Sequence, residues 1–187
     1  MLASRPLDSD IDLINAWRQG DNSAGAKLWE RYFKPVCNFF RNKLGDDVDD
    51  LVQQTFLACV ENKEAFRGDA TYRGYLFGIA RNVLMDHLRA RYRNNGQVPL
   101  EDMTLRDLGT SPSSRAARSE RQALLLDAMD RIPLDFRIAL ELTYDEGLSG
   151  KEVAEALGVN PNTVRSRVAR AKAALREQLA AVRAEQG

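Results

Sequence analysis

Arg165, Arg167, Arg170, Lys172 and Arg176 crowd one short stretch, GVNPNTVRSRVARAKAALR, with only small or apolar residues between them. The chain as a whole has no excess of cations, since Lys and Arg number 27 and Asp and Glu also 27. Positive charge is therefore concentrated rather than abundant, and a local anion-binding surface explains that better than a general basicity. A solvated basic face would carry the same charge, so the surrounding turn chemistry has to decide. Val164, Val168, Ala171, Leu175 and Leu179 form one apolar stripe and leave Asn162, Arg165, Ser166, Ala169 and Arg170 outward. Just upstream, Ser149 with Glu152 makes a capping box, Gly158 ends that helix, and Asn160 with Pro161 begins the next. This is a helix-turn-helix pattern, whose second helix presents its opening residues to base edges while its cations neutralise phosphate.

Bond-making chemistry finds no support. His87, the one histidine, follows Val83 by four positions on an apolar helical stripe, and MDHLR supplies no nucleophile for a triad. Cys37 and Cys59 are far apart with no CxxC or nearby His, so they read as core thiols rather than a metal cage or disulfide. No phosphate-cradling glycine loop is present. The reading is of a protein that is not an enzyme and needs no metal or cofactor.

Two further faces could bind. On a helical wheel of YRGYLFGIARNVLMDHLRARYR, Leu76, Ile79, Ala80 and Val83 face inward, while Tyr75, Asn82, Asp86, Arg89 and Arg93 share another side. An aromatic beside amide and guanidinium groups suits unpaired bases, which stack on flat surfaces while cations follow the backbone. The preceding loop FRGDATY adds a glycine and polar groups able to pocket a flipped base. Boundary packing by Tyr75 and an ordinary Asp86–Arg89 pair would give the same pattern. In DDVDDLVQQTFLACV, Val48, Val52, Phe56 and Cys59 turn inward, and Asp46, Asp50, Gln53 and Leu57 line up outward. Carboxylates around an apolar residue fit protein docking, since they repel phosphate. A solvated helix with one stray Leu fits them equally well.

Helices must position all three faces. Apolar residues recur at three and four positions almost throughout, and no stretch alternates with period two, which predicts an all-α fold. Starts and stops place helices from Asp8 or Ser9 to Gly20, from Asn22 or Ser23 to Gly45, Val48–Lys63 and Thr71–Arg93. A second set follows at Ala116–Arg131, Leu134–Tyr144, Gly150–Leu157 and Pro161–Ala184. Between them NNGQVP and GTSPSSR bracket a segment of turn formers that reads as a flexible linker. The division expected is 1–94, linker 95–115, and 116–187, two helical domains with the helix-turn-helix in the second. No apolar run approaches the roughly 20 residues of a membrane span. The amino terminus lacks the order of an export signal, so the cytoplasm is the expected location.

DDVDDLVQQTF, FRGDATYRGYLFGIARNVLMDHLRARYR and LSGKEVAEALGVNPNTVRSRVARAKAALR, in that order, resemble the bacterial sigma-70 family of RNA polymerase initiation subunits. The closest resemblance is to the short, two-domain extracytoplasmic-function (ECF) class. It runs from about Leu13 to Leu179. It implies that Asp46, Asp49, Asp50, Gln53, Gln54 and Leu57 dock on core RNA polymerase, at the clamp helices of its largest catalytic subunit. Phe66, Arg67, Gly68, Asp69 and Tyr72 of the loop, with Tyr75, Arg81, Asn82, Asp86, Arg89 and Arg93, would read and melt the minus-ten promoter element. Asn162, Thr163, Arg165, Ser166, Arg167 and Arg170 would read the minus-thirty-five element of promoter DNA.

Two positions depart from the family pattern, which has an acid where Gln54 stands and Trp where Tyr75 stands. Gln54 removes one docking charge, and Tyr75 keeps a stacking surface. The resemblance also implies an anti-sigma factor as partner, and the lack of a long apolar run predicts no membrane insertion. The rival readings are a self-sufficient regulator that binds its operator without polymerase, and a scaffold that binds protein only.

Overall fold

Local capping sets most of the helix boundaries in the computed structural model, which describes residues 9–66, 71–92, 99–109 and 119–186. Ser9 accepts from the amide of Asp12 at 3.2 Å and starts α1, Asp10–Arg18. Asp21, one position ahead of the caps expected from sequence, accepts from the Ser23 amide at 2.9 Å and starts α2, Asn22–Leu44, which continues through Pro35. Acidic Asp49 and Asp50 occupy the first turn of α3, Asp49–Glu61, where they complement the helix dipole. A short turn at Lys63–Ala65 leads to α4, Tyr72–Arg91, capped by Thr71. The second set comprises α5, Glu120–Asp130, and α6, Leu134–Leu140, which widens into a π-type turn at Glu141–Asp145. It ends with α7, Gly150–Leu157, and α8, Pro161–Gln186. Among the described residues the fold is all helix, with no strand.

The helix-turn-helix forms as its turn signals require. Ser149 and Glu152 exchange bonds across the first turn of α7, and Gly158 leaves that helix at a left-handed φ of 65°. Asn160 Oδ1 then accepts from the Asn162 amide at 2.9 Å, opening α8 behind Pro161.

One apolar core runs through both sets of helices. Leu13, Leu28, Phe40, Val52, Leu76 and Leu84 are joined to Leu134, Ile138, Leu142, Val153 and Val164. The joint is made chiefly where α4 lies on α7. Gly74 permits the close approach, since a Cβ there would stand 3.1 Å from the Glu152 carbonyl oxygen and 2.6 Å from a carboxylate oxygen of Glu155, whereas one at Gly78 would make an ordinary contact at 3.5 Å with the Ala156 Cα.

The joint also buries charge. Lys43 at the end of α2 pairs with Glu141, whose other oxygen accepts from Arg137 Nε at 2.8 Å. Arg137 further holds Asp130 and the Asn42 carbonyl. Lys43 and Arg137 are fully buried, and burial pushes the Lys43 ammonium below its ordinary value against the attraction of Glu141.

The described part of the expected linker, 99–109, is packed rather than free. Leu105 and Leu108 are buried, the Leu134 amide donates to the Met103 carbonyl at 2.9 Å, and Thr104 bridges to Pro133. Two leucines three apart in TLRDLG were enough to seat this segment on α6, although they are too few to register as periodicity.

Candidate nucleic-acid and docking interfaces

The opening of α8 is exposed over most of its length. Asn162, Arg165, Ser166 and Arg170 stand in solvent, and the Ser166 hydroxyl donates to the Thr163 carbonyl at 2.9 Å. Small Ser166 and Ala169 leave room for close approach, and Ala169 with Gly150, Lys151, Asn162 and Arg165 borders a shallow concavity beside α7. Thr163 and Arg167 are half-buried. Arg167 is bound to Asp135 of α6 at 2.6 Å.

The α4 face is arranged differently. Tyr75 is half-buried, its ring 5.4 Å from that of Phe66 and 6.4 Å from that of Tyr72, and its hydroxyl donates to the Asn62 carbonyl at 3.1 Å. Arg18 fastens the adjoining turn, donating to the Lys63 carbonyl at 2.8 Å and to that of Phe66. Phe66 and Tyr72, both expected base contacts, are buried at 3% and 2% exposure, and their rings pack on that of Tyr75. Tyr72 packs on Tyr32 and its hydroxyl meets Cys59, whose thiol burial pushes up to about 12. Burial also raises the Tyr75 phenol.

Along α4, Asn82, Asp86 and Arg89 are exposed. Asp86 and Arg89 do form the ordinary helical pair, at 3.1 Å, and Arg89 also reaches Glu101 at 3.3 Å. Arg81 turns away from them toward Asp135, at 3.3 Å. Arg67, Gly68, Asp69 and Arg93 lie outside the described residues. His87 is half-buried beside Arg91, and burial lowers its imidazole below the ordinary value.

The third face is larger than the sequence suggested. Asp46, Asp49, Asp50, Gln53, Gln54 and Leu57 are all exposed, with Leu57 at 53%. Leu57 does not stand alone, because Val60, Trp29 and Phe33 are exposed beside it at 47%, 47% and 39%. Trp29 stacks on Phe33 at 4.7 Å and reaches Phe56 at 6.2 Å, so α2 and α3 form an apolar groove bordered by Asp49 and Gln53. Exposed apolar surface of this kind is chemically suited to binding protein. Trp29 and Phe33, four apart on α2, and Leu57 and Val60, three apart on α3, carried the local signal for it. Each helix alone gave only half of the groove.

Among the described residues no group of His, Cys, Asp and Glu could hold a metal ion, and no helix is long and apolar enough to cross a membrane. An all-helical body carrying a capped helix-turn-helix with open cations defines the class, a helix-turn-helix DNA-binding protein.

Residues 28–94 match the Sigma-70 region 2 family and residues 122–175 the Sigma-70, region 4 family. The chain is 31% identical over 173 residues to the ECF RNA polymerase sigma-E factor of Haemophilus influenzae, spanning 88% of this chain and 92% of that one. It is 31% identical over 169 residues to the ECF RNA polymerase sigma factor SigM of Mycobacterium tuberculosis, spanning 89% and 83%. The solved structure of CnrH in complex with the cytosolic domain of CnrY matches with a TM-score of 0.70 at 25% identity, over 93% of this chain and 99% of that one. The sigma factor RpoE of Bartonella quintana, solved with the anti-sigma factor NepR, shares the fold, with a TM-score of 0.62 at 24% identity over 82% and 95%. The chain belongs to the ECF sigma factors of the sigma-70 family, and so to the factors that support promoter-specific transcription initiation by RNA polymerase.

Proposed function

We propose that the three faces divide the work of initiation. The groove of α2 and α3, with Trp29, Phe33 and Leu57 at its centre and Asp46, Asp49, Asp50, Gln53 and Gln54 around it, docks on the clamp helices of the polymerase's largest catalytic subunit. The opening of α8 enters the major groove of the minus-thirty-five element through Asn162, Thr163, Arg165, Ser166, Arg167 and Arg170. The α4 face captures unpaired bases of the minus-ten element on Tyr75, and Asn82, Arg89 and Arg81 follow the strand. Captured bases cannot re-pair, so the melted strands stay open without any bond chemistry by this chain.

The observation that carries this reading is the exposure of Asn162, Arg165, Ser166 and Arg170 on one side of a correctly capped second helix. The polymerase supplies contacts that a chain with 27 cations and 27 acids lacks, since counterion release scales with the phosphates neutralised. Both solved relatives above are held by a partner protein, which supports an anti-sigma factor as a partner here.

The test is transcription in vitro with purified core polymerase and genomic promoter fragments. Defined start sites are expected with the chain and none without it. Asp50→Ala with Leu57→Ala should weaken binding to core polymerase at least tenfold in a pull-down titration, and full binding by that variant would remove the docking assignment.

A further inference from the structure

Tyr75 leans on a turn that a side chain of α1 fastens. Its hydroxyl donates to the Asn62 carbonyl at 3.1 Å and its ring lies 5.4 Å from that of Phe66, so its two supports sit at the ends of residues 62–66. Arg18, in the last turn of α1, grips the backbone between them. Its Nε donates to the Lys63 carbonyl at 2.8 Å, and its Nη2 donates to the Phe66 carbonyl and, at 3.5 Å, to that of Glu64. The same cation stands 5.6 Å from the Phe66 ring. We propose that Arg18 is a positioning residue for strand capture: it fixes the turn 62–66 and, through the Asn62 carbonyl and the Phe66 ring, holds Tyr75 ready for a base. The proposal rests on the assignment of Tyr75 to unpaired bases above. None of the residues assigned to DNA or polymerase lies on α1, which precedes the segment 28–94 that matches region 2.

An arginine suits this task better than any other side chain. Three carbonyls at the close of a short helical turn share one guanidinium, whose planar fork serves several acceptors at once. Carbonyls at a helix end also carry partial negative charge that a cation complements. Burial raises the Tyr75 phenol and the Arg18 charge opposes that rise, as a cation within electrostatic reach of the hydroxyl must.

The helix that carries Arg18 is itself pinned at both ends. At its start Asp10 pairs with Arg31 at 2.5 Å and accepts from the Tyr32 hydroxyl. At its end Trp17 lies against Gly25, where a Cβ would stand 2.7 Å from the indole nitrogen. Leu13 and Ile14 are buried between these points. The guanidinium therefore hangs from a fixed support, and the turn it grips takes its place from that support. A ring already in place loses little freedom when a base stacks on it, so fixing Tyr75 beforehand favours capture.

The test is a double-mutant cycle in the holoenzyme. Permanganate reactivity of unpaired thymines reports open complexes, and binding to core polymerase is followed beside it. Arg18→Gln removes the fork and should lower open-complex formation about three- to tenfold, part of what the loss of one stacked base brings, with core binding unchanged. Arg18→Lys keeps the charge but not the fork, and it should fall between wild type and Arg18→Gln. In a Tyr75→Ala background the loss from Arg18→Gln should largely vanish, because the arginine acts through that ring.

Losses from Arg18→Gln and Tyr75→Ala that simply add would overturn the proposal by giving Arg18 a contact of its own. Core binding that falls in step with open complexes in both Arg18 variants would overturn it by reducing Arg18 to a part of the fold. A loss from Tyr75→Ala beside unaffected Arg18 variants removes the positioning role alone and leaves Tyr75 its base. Full strand opening by Tyr75→Ala removes the assignment of Tyr75, and the role of Arg18 with it.

Discussion

The two faces proposed for nucleic acid are built on opposite plans. The opening of α8 stands open, with Asn162, Arg165, Ser166 and Arg170 in solvent and the helix start held by Asn160 Oδ1. The α4 face is partly closed, with Tyr75 tucked against Phe66 and Arg81 turned into the joint. Duplex DNA offers its major groove at all times, so a rigid exposed helix is ready for it. Unpaired bases exist only after melting, and a surface that meets them can stay covered until then. On the proposed assignment, the contrast teaches that duplex reading is preformed and strand capture is conditional.

The strongest way to break that contrast is to destroy the joint itself. Glu141→Ala leaves Lys43 and Arg137 buried without their shared carboxylate, and it should lower folding stability by about 3–5 kcal/mol in urea unfolding. Next comes the open face. Arg165→Ala with Arg170→Ala should weaken holoenzyme binding to closed promoter DNA by about 1–3 kcal/mol for each contact made to a base edge. A footprinting titration reads that loss, and strand opening at saturating DNA should be unaffected.

Tyr75→Ala should do the reverse on the covered face. Closed-promoter binding is retained, and open-complex formation falls by about 1–3 kcal/mol for the base that stacks there, measured by permanganate reactivity of unpaired thymines. Equal loss of both steps would erase the distinction between the faces.

The smallest expected effect is one of pH. Burial at the joint raises the Glu146 carboxyl to about 7, with Asp145 and Glu141 adding to the shift and Arg73 and Lys43 opposing it. The closed arrangement thus holds this proton more tightly than an open one, where the group returns toward 4.5. Closure should strengthen as pH falls from about 7 toward 4.5 and weaken as pH rises through 7. Fluorescence transfer between labels on α4 and α7 is the right readout, because His87 shifts in the direction that lowers overall stability in acid.

Local signals made much of this legible beforehand. Ser149, Glu152, Gly158 and Pro161 specify the helix-turn-helix within one short stretch, and their geometry appears as that stretch requires. The inward stripes of α3 and α8 were equally readable, because helical periodicity needs only neighbouring residues. The burial of Phe66 and Tyr72 was not legible, since a loop position and the first turn of a helix carry no periodic sign of which way they face. The packing of 99–109 was hidden for a similar reason, resting on two leucines and a bridge to Pro133.

By itself the order of residues determined the helices, their caps and the cationic surface of α8, all of them products of interactions within a few positions. Only tertiary packing decided that Trp29 and Phe33 would join Leu57 in one groove, that Lys43 would meet Glu141, and that Asp135 would bind Arg81 and Arg167 together. Those partners lie on different helices, far apart along the chain. Their charges and rings look like ordinary surface chemistry until the helices are packed, with α7 seated on α4 at Gly74.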